Sequence, residues 1–231
     1  MKSYFLIFSA GIILLLIIGC KKNNTEDAMV QCRDIEGNVY DTIVMCSKIW
    51  IKDNLKVSHY KNGDLIPYVQ DNVQWENLTS GAWCWYNNDS TNYFKYGKLY
   101  NWYAVNDARG LAPNGWHIPT EGDWSDLTNC LGGENIAGGK IKTRGTVQAS
   151  TGLWETPNVT IDPYSNFNGL PGGYRDYPGF FIGQGFYNYW WSSTESLAGT
   201  ARMRVIINII SNINKGSFGK NYGFYLRIIK D

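Results

Sequence analysis

The apolar pattern divides this chain in two. Residues 4–18 form one nearly unbroken apolar run, preceded by Lys2 and closed by Gly19-Cys20, and no second run of that length follows. Beyond residue 30 apolar and polar positions alternate over short stretches. Segments 34–40, 42–45 and 48–51 read as strands, because β-branched and aromatic residues flank the turn chemistry of Glu36-Gly37-Asn38. Asn62-Gly63 marks a further tight turn. A helix is predicted over 97–106, with Leu99, Trp102, Tyr103 and Val105 on its apolar face. The clearest helix start is Pro119-Thr120-Glu121-Gly122-Asp123: Thr120 can cap and Asp123 can reach back to it. Trp124, Leu127 and Leu131 follow at helical spacing before Gly132-Gly133 ends the run. Residues 133–160 lack a sustained period and read as long ordered loops, and late strands are predicted over 189–193, 201–210 and 222–229. The fold class is therefore α+β: short antiparallel strands, two or three helices and long loops.

The opening run is too short for a membrane span, which takes about 20 apolar residues. With a basic start and a Gly-Cys end it has the form of a bacterial lipoprotein signal. The expected organisation is a signal peptide over 1–19, a lipidated Cys20 with a polar spacer over 20–30, and one domain over 31–231. Acyl chains on Cys20 would hold the protein to a membrane, with Lys21 and Lys22 facing the headgroups. The expected location is the cell envelope, and within it the outer membrane.

Composition narrows the function. A formal net charge of +1, with both signs interspersed, supplies no basic stripe for nucleic acid. The outliers are 10 Trp, 16 Tyr and 9 Phe alongside 25 Gly; most rings of that number fill a core, and Trp50, Trp102, Trp116, Trp124 and Trp191 are assigned there. Apart from Cys20 the cysteines are Cys32, Cys46, Cys84 and Cys130, which allow three pairings. Cys32 and Cys46 flank the first predicted hairpin and form the favoured disulfide. No Cys-x-x-Cys spacing points to zinc.

Several blocks then occur in a particular order: Asp34-Ile-Glu-Gly-Asn-Val-Tyr, Trp50-Ile-Lys-Asp-Asn-Leu, Tyr96-Gly-Lys-Leu-Tyr-Asn-Trp, Gly115-Trp-His-Ile-Pro-Thr-Glu-Gly-Asp-Trp, Leu170-Pro-Gly-Gly-Tyr-Arg, Tyr189-Trp-Trp-Ser-Ser-Thr-Glu and Tyr222-Gly-Phe-Tyr-Leu-Arg. Together they resemble the Fibrobacter succinogenes major paralogous domain, over about residues 33–231. The resemblance implies a relative of the C-type lectin-like fold, with N- and C-terminal strands paired and binding sites on long loops. It implies no general activity.

The candidate chemistry is sparse. His59 and His117 have no second ligand at motif spacing, and His117 is expected to pack at the loop–helix junction. The 115–124 block also resembles formylglycine-generating enzymes, but no cysteine follows Cys130 to supply their thiols. Lectin calcium loops are likewise missing from the sequence, so neither metal nor cofactor is expected. An aromatic binding surface is the main candidate: Trp83, Trp85, Tyr86, Asn88 and Asp89, with Tyr174, Arg175, Asp176 and Tyr177, extended by Tyr187 and Tyr189. Rings beside polar groups suit a polysaccharide or a surface protein. The alternative is a glycosidase-like enzyme using two of Asp123, Asp126, Asp176 and Glu195 across a cleft.

Overall fold

The computed structural model describes residues 31–231; the segments predicted as signal peptide and lipidated spacer lie outside the described residues. Its strands are β1 (Cys32–Arg33), β2 (Val39–Tyr40), β3 (Thr42–Met45), β4 (Lys48–Ile51), β5 (Trp83–Cys84), β6 (Leu99–Tyr100), β7 (Trp116–His117), β8 (Tyr174–Arg175), β9 (Phe181–Ile182), β10 (Tyr187–Leu197), β11 (Thr200–Ile207), β12 (Ile213–Gly219) and β13 (Ile229–Lys230). Its helices are α1 (Asn72–Glu76), α2 (Tyr93–Tyr96), α3 (Trp102–Val105), α4 (Glu121–Cys130) and α5 (Glu134–Ile141). The protein is α+β.

Two sheets organise it. β10, β11 and β12 form an antiparallel meander, and β3-β4-β13-β7 form a second sheet in which Trp50 of β4 pairs with Ile229 of β13. Adjacent large residues in the strands face opposite ways, as a pleated backbone requires. Trp190, Trp50, Tyr225 and Ile229 enter one core with Trp75, Trp124 and Trp154; Trp191, Ile51, Phe224 and Ile228 enter the other with Trp102 and Tyr100. Trp116, expected in the core, is only partly buried against it.

The helix start at Thr120 forms as read: the Asp123 amide donates to the Thr120 hydroxyl, and the Asp123 carboxylate accepts from the Thr120 amide at 2.9 Å. The predicted 97–106 helix does not form as one element. Residues 99–100 are captured as β6, with backbone exchange between Tyr100 and Phe224, and a helical turn begins only after Asn101, whose side chain caps it. α5 was missed inside the predicted loop region because Gly138 and Gly139 weaken its helical signature. Their role is contact: a Cβ on Gly138 would sit 2.0 Å from the Asn212 carbonyl oxygen, so only glycine lets α5 lie against the start of β12. The predicted 222–229 strand is an extended spine instead. Gly223 bonds Arg175, Tyr225 bonds Tyr189 and Trp191, Leu226 accepts from Leu55, and Ile228 accepts from Ile51.

The disulfide assignment is corrected. Cys46 bonds Cys130, and Cys32 and Cys84 are buried free thiols. Cys32 points inward from β1 into the core that holds Tyr40, whereas Cys46 lies in the β3–β4 turn beside the C-terminal end of α4. The hairpin geometry therefore sends the two predicted partners to different neighbours. Burial pushes both free thiols up to about 12.

Candidate functional site

The predicted site residues fall into two places with a buried cation between them. In the first, Trp83 stacks on Tyr68 at 4.6 Å, and Trp85 meets both rings edge-on at 4.8 Å. Trp83 is buried with its indole N–H donating to the Ile66 carbonyl, and Tyr86 is buried against Phe181. Neither ring is a contact surface as predicted; Trp83 packs beneath Trp85 and Tyr68, and Tyr86 packs on Phe181 of β9. Asn88 sits with positive φ of 53° and donates to the Gln70 carbonyl, and Asp89 accepts from the Thr91 amide within its own turn.

Arg175 was predicted to face a ligand and is instead completely buried. Its Nε donates to Gly179 O at 2.8 Å, Nη1 to Val69 O at 2.7 Å, and Nη2 to Gln70 O at 2.7 Å and Asn72 Oδ1 at 3.0 Å. The guanidinium lies over Trp75 at 4.3 Å and Phe181 at 4.8 Å. A planar fork with five donors in fixed directions matches four acceptors spread around it, one more than the three donors of an ammonium. It fixes the 69–72 segment, and with it Tyr68, against the β8–β9 hairpin. Lys142 and Arg227 act in the same manner. Lys142 donates to Ile207, Asn208 and Ile210 carbonyls, and Arg227 to those of Ile51, Lys52 and Asn168. Irregular loops leave backbone carbonyls without ladder partners, and buried cations satisfy them here.

The second place is a tyrosine face. Tyr187 and Tyr189 lie at i and i+2 on β10, so both point to the same side, 6.2 Å apart between rings. Tyr174 of β8 meets Tyr189 at 4.7 Å, and Tyr222 faces Tyr174 at 6.4 Å. Phe224, wholly buried, supports them: Tyr174, Tyr189, Trp191, Phe218 and Tyr222 all contact its ring at 4.3–5.9 Å. Gly183 makes room for Tyr187, since a Cβ there would stand 2.2 Å from its ring. Exposed Tyr177 at 49% and Phe186 at 44% extend the row at either end. Among the described residues no hydrogen bond occupies the hydroxyls of Tyr174, Tyr187, Tyr189 or Tyr222, and the rings are half-buried. Burial, then the neighbouring phenols, push the Tyr189 hydroxyl up to about 12, and Tyr174 and Tyr222 move in the same direction. The face is thus a set of neutral donor–acceptor hydroxyls set among flat rings.

Charge near this face is internally answered. Asp176 accepts from the Phe180 amide at 2.7 Å, and Glu195 pairs with Lys220. Of the two remaining carboxylate candidates, Asp123 and Asp126, Asp123 is held by Lys48 at 2.7 Å, the Thr120 hydroxyl at 2.6 Å and His117 Nε2 at 3.2 Å. Burial raises the Asp123 carboxyl, but Lys48, Thr120 and His117 together outweigh it and hold the group well below the ordinary carboxylate range. His117 is therefore clamped between Asp123 and Asp231, whose Oδ1 lies 2.6 Å from Nδ1. His59 lies 2.7 Å from Glu36. No group of three or more His, Cys, Asp or Glu side chains is placed to hold a metal among the described residues.

The site residues missed in the sequence, Tyr222, Phe218 and Tyr68, stand in loops or on a polar strand whose pattern is not periodic. Long-range pairing brings each of them in: Tyr68 bridges Trp83, Phe218 pairs with Ala201 of β11, and the spine's bridge between Gly223 and Arg175 sets Tyr222 beside Tyr174.

Structurally, this is an α+β domain with two aromatic cores, loops tied down by buried cations and a half-exposed face lined by tyrosine rings. The chain belongs to the Fibrobacter succinogenes major domain family, which matches residues 43–230. No curated protein and no solved structure shows significant similarity to it.

Proposed function

We propose that this chain is a non-catalytic, lipid-anchored protein of the cell envelope whose domain, of C-type lectin-like architecture, binds a glycan on its tyrosine face. The observation that carries the reading is the row of Tyr222, Tyr174, Tyr189 and Tyr187, packed ring against ring and half-exposed, with hydroxyls that have no hydrogen-bond partner among the described residues. Sugar rings present C–H faces that stack on aromatic rings and hydroxyls that exchange hydrogen bonds with phenols. A neutral face, with its neighbouring carboxylates already bonded, fits an uncharged polysaccharide better than an acid–base reaction. The pairing of β4 with β13 supports the lectin-like architecture, since it brings early and late strands together. The anchor at Cys20 rests on the Lys2, 4–18, Gly19-Cys20 pattern. Among the described residues no helix is long and apolar enough to cross a membrane.

The test is a glycan array and an envelope pull-down with the full chain in lipid nanodiscs, repeated with Tyr187→Ala and Trp85→Ala. Retention of a polysaccharide, weakened about tenfold by Tyr187→Ala, is expected; an interface ring that carries more than 1 kcal/mol gives a loss of that size. Trp85→Ala reports whether the first ring cluster joins the same surface. Empty results from both screens overturn the proposal.

A further inference from the structure

Away from the tyrosine face, a groove runs between the β1–β2 hairpin and the segment over 105–118. Its first part has a volume of about 330 Å³ and is lined by Arg33, Asp34, Ile35, Lys61, Leu111, Pro113 and Asn114. Its second part, about 300 Å³, continues past Lys61 and Leu111 to Val105, Ala112, Trp116 and Ile118. Both volumes stand at the lower end of small-ligand sites, which run roughly 300–1,000 Å³. None of the tyrosine-face residues lines it.

The lining has one chemical character. The floor is apolar, from Val105, Leu111, Pro113, Trp116 and Ile118. The polar groups differ in whether they are already used. Asp34, the acid in the first part, is buried and turns inward: its carboxylate accepts from the Glu36 and Asn38 amides, the Asn38 side chain and the Tyr40 hydroxyl. His117, at the far end, is clamped by Asp123 and Asp231. Nearby Asp64 and Asp107 are both bonded to Arg109. Lys61 is the exception. It is exposed, sits where the two parts join, and its ammonium has no hydrogen-bond or ion-pair partner among the described residues. Arg33 stands in the same first part and spends one guanidinium N–H on the Gly37 carbonyl, leaving its other donors open.

We propose that this groove is a binding site for a small amphipathic carboxylate: an apolar ring or short acyl body lying on Leu111 and Trp116, with its anionic head at Lys61 and Arg33. The match follows from an apolar floor beside two cationic side chains with unused donors, while the acids around them are already bonded. A neutral ligand would forgo the charge-assisted bonds that these cations offer, and a bare anion would gain nothing from the apolar floor.

Ligand-observed NMR on the full chain in lipid nanodiscs tests it, with 3-phenylpropionate as probe, 3-phenylpropionamide as its uncharged counterpart and acetate as the head without the body. Saturation transfer to 3-phenylpropionate is expected, with the amide and acetate each at least about tenfold weaker, as the loss of one charge-assisted hydrogen bond or of the apolar contact implies. Lys61→Gln should weaken the carboxylate about tenfold and leave the amide unchanged, with an unaltered thermal midpoint because the side chain is exposed. Arg33→Gln, also on the surface, should act in the same direction. Equal binding of acid and amide overturns the proposal. So does a Lys61→Gln protein that binds the acid as tightly as the parent, or no binding up to about 10 mM, weaker than the millimolar end of the affinity scale.

Discussion

Replacing Arg175 by methionine tests the view that buried cations hold this fold's loops. Methionine keeps much of the side-chain length but removes every donor. Val69 O, Gln70 O, Gly179 O and Asn72 Oδ1 then lose partners at 2.7–3.0 Å, and the contacts with Trp75 and Phe181 lose their charge. A hydrogen bond to a charged group contributes about 1.5–3 kcal/mol net, so four of them imply a large gross loss. Against this stands relief from burying a guanidinium, an effect of several kcal/mol for a buried ion. The difference should be a destabilisation of about 3–5 kcal/mol, since each buried acceptor left without a partner costs about 1–3 kcal/mol. For a chain of this size that lowers the thermal midpoint by roughly 10 °C, at 2–4 °C per kcal/mol. Urea unfolding followed by far-UV circular dichroism gives the free energy, and limited proteolysis reports release of the 68–80 segment. Arg175→Lys separates charge from geometry. A single ammonium has three donors and cannot reproduce the fork, so most of the loss should persist. A methionine variant within about 1 kcal/mol of the parent, less than the loss expected for four buried acceptors left without partners, would refute the reasoning. A lysine variant of full stability would show that charge, not the fork, matters.

Three further outcomes concern the disulfide, the Lys48–Asp123 pair and the packing of α5. The Cys46–Cys130 bond closes a loop with a sequence separation of 84, so Cys46→Ala/Cys130→Ala should cost about 2–4 kcal/mol by denaturant unfolding, with Cys32 and Cys84 unreactive toward iodoacetamide until the protein unfolds. Asp123 titrates lower in the folded than in the unfolded protein, so its contribution is fully present above the ordinary carboxylate range and is lost as pH falls through its folded value; Lys48→Met should raise the acid-unfolding midpoint, and an unchanged midpoint would count against the Lys48–Asp123 pair. Gly138→Val should disrupt the packing of α5 on β12, seen as loss of amide-exchange protection over 134–141, because its Cβ would lie 2.0 Å from the Asn212 carbonyl.

Local chemistry was readable wherever it was self-contained. Thr120 and Asp123 lie three residues apart and bond each other, so their capping box needed no distant partner. The Asn62-Gly63 turn is equally local: the Gly63 amide bonds the Tyr60 carbonyl and the Tyr60 amide bonds that of Asp64. The candidate site was readable only in part. Tyr174, Tyr187 and Tyr189 do share a face, because strand alternation places the last two together. Arg175 looked like a ligand contact, since a polar residue beside tyrosines carries no mark of burial until Val69, Gln70 and Gly179 surround it. Cys46 looked like a partner for Cys32 by proximity along the chain, yet α4 brings Cys130 to it from 84 residues away.

By itself, the sequence determined the α+β class, the family, the capped start of α4 and the richness in rings, all of which depend on neighbours within a few positions or on ordered blocks. Tertiary structure decided the disulfide, the division of 97–106 into a strand and a helical turn, the burial of Arg175, and which tyrosines face solvent together. The physical reason is common to all four. Each is settled by groups far apart in sequence meeting in space: Cys130 of α4 with Cys46, Phe224 with Tyr100, the 69–72 segment with Arg175, and Tyr174 and Tyr222 with Tyr189; such meetings have no period along the chain.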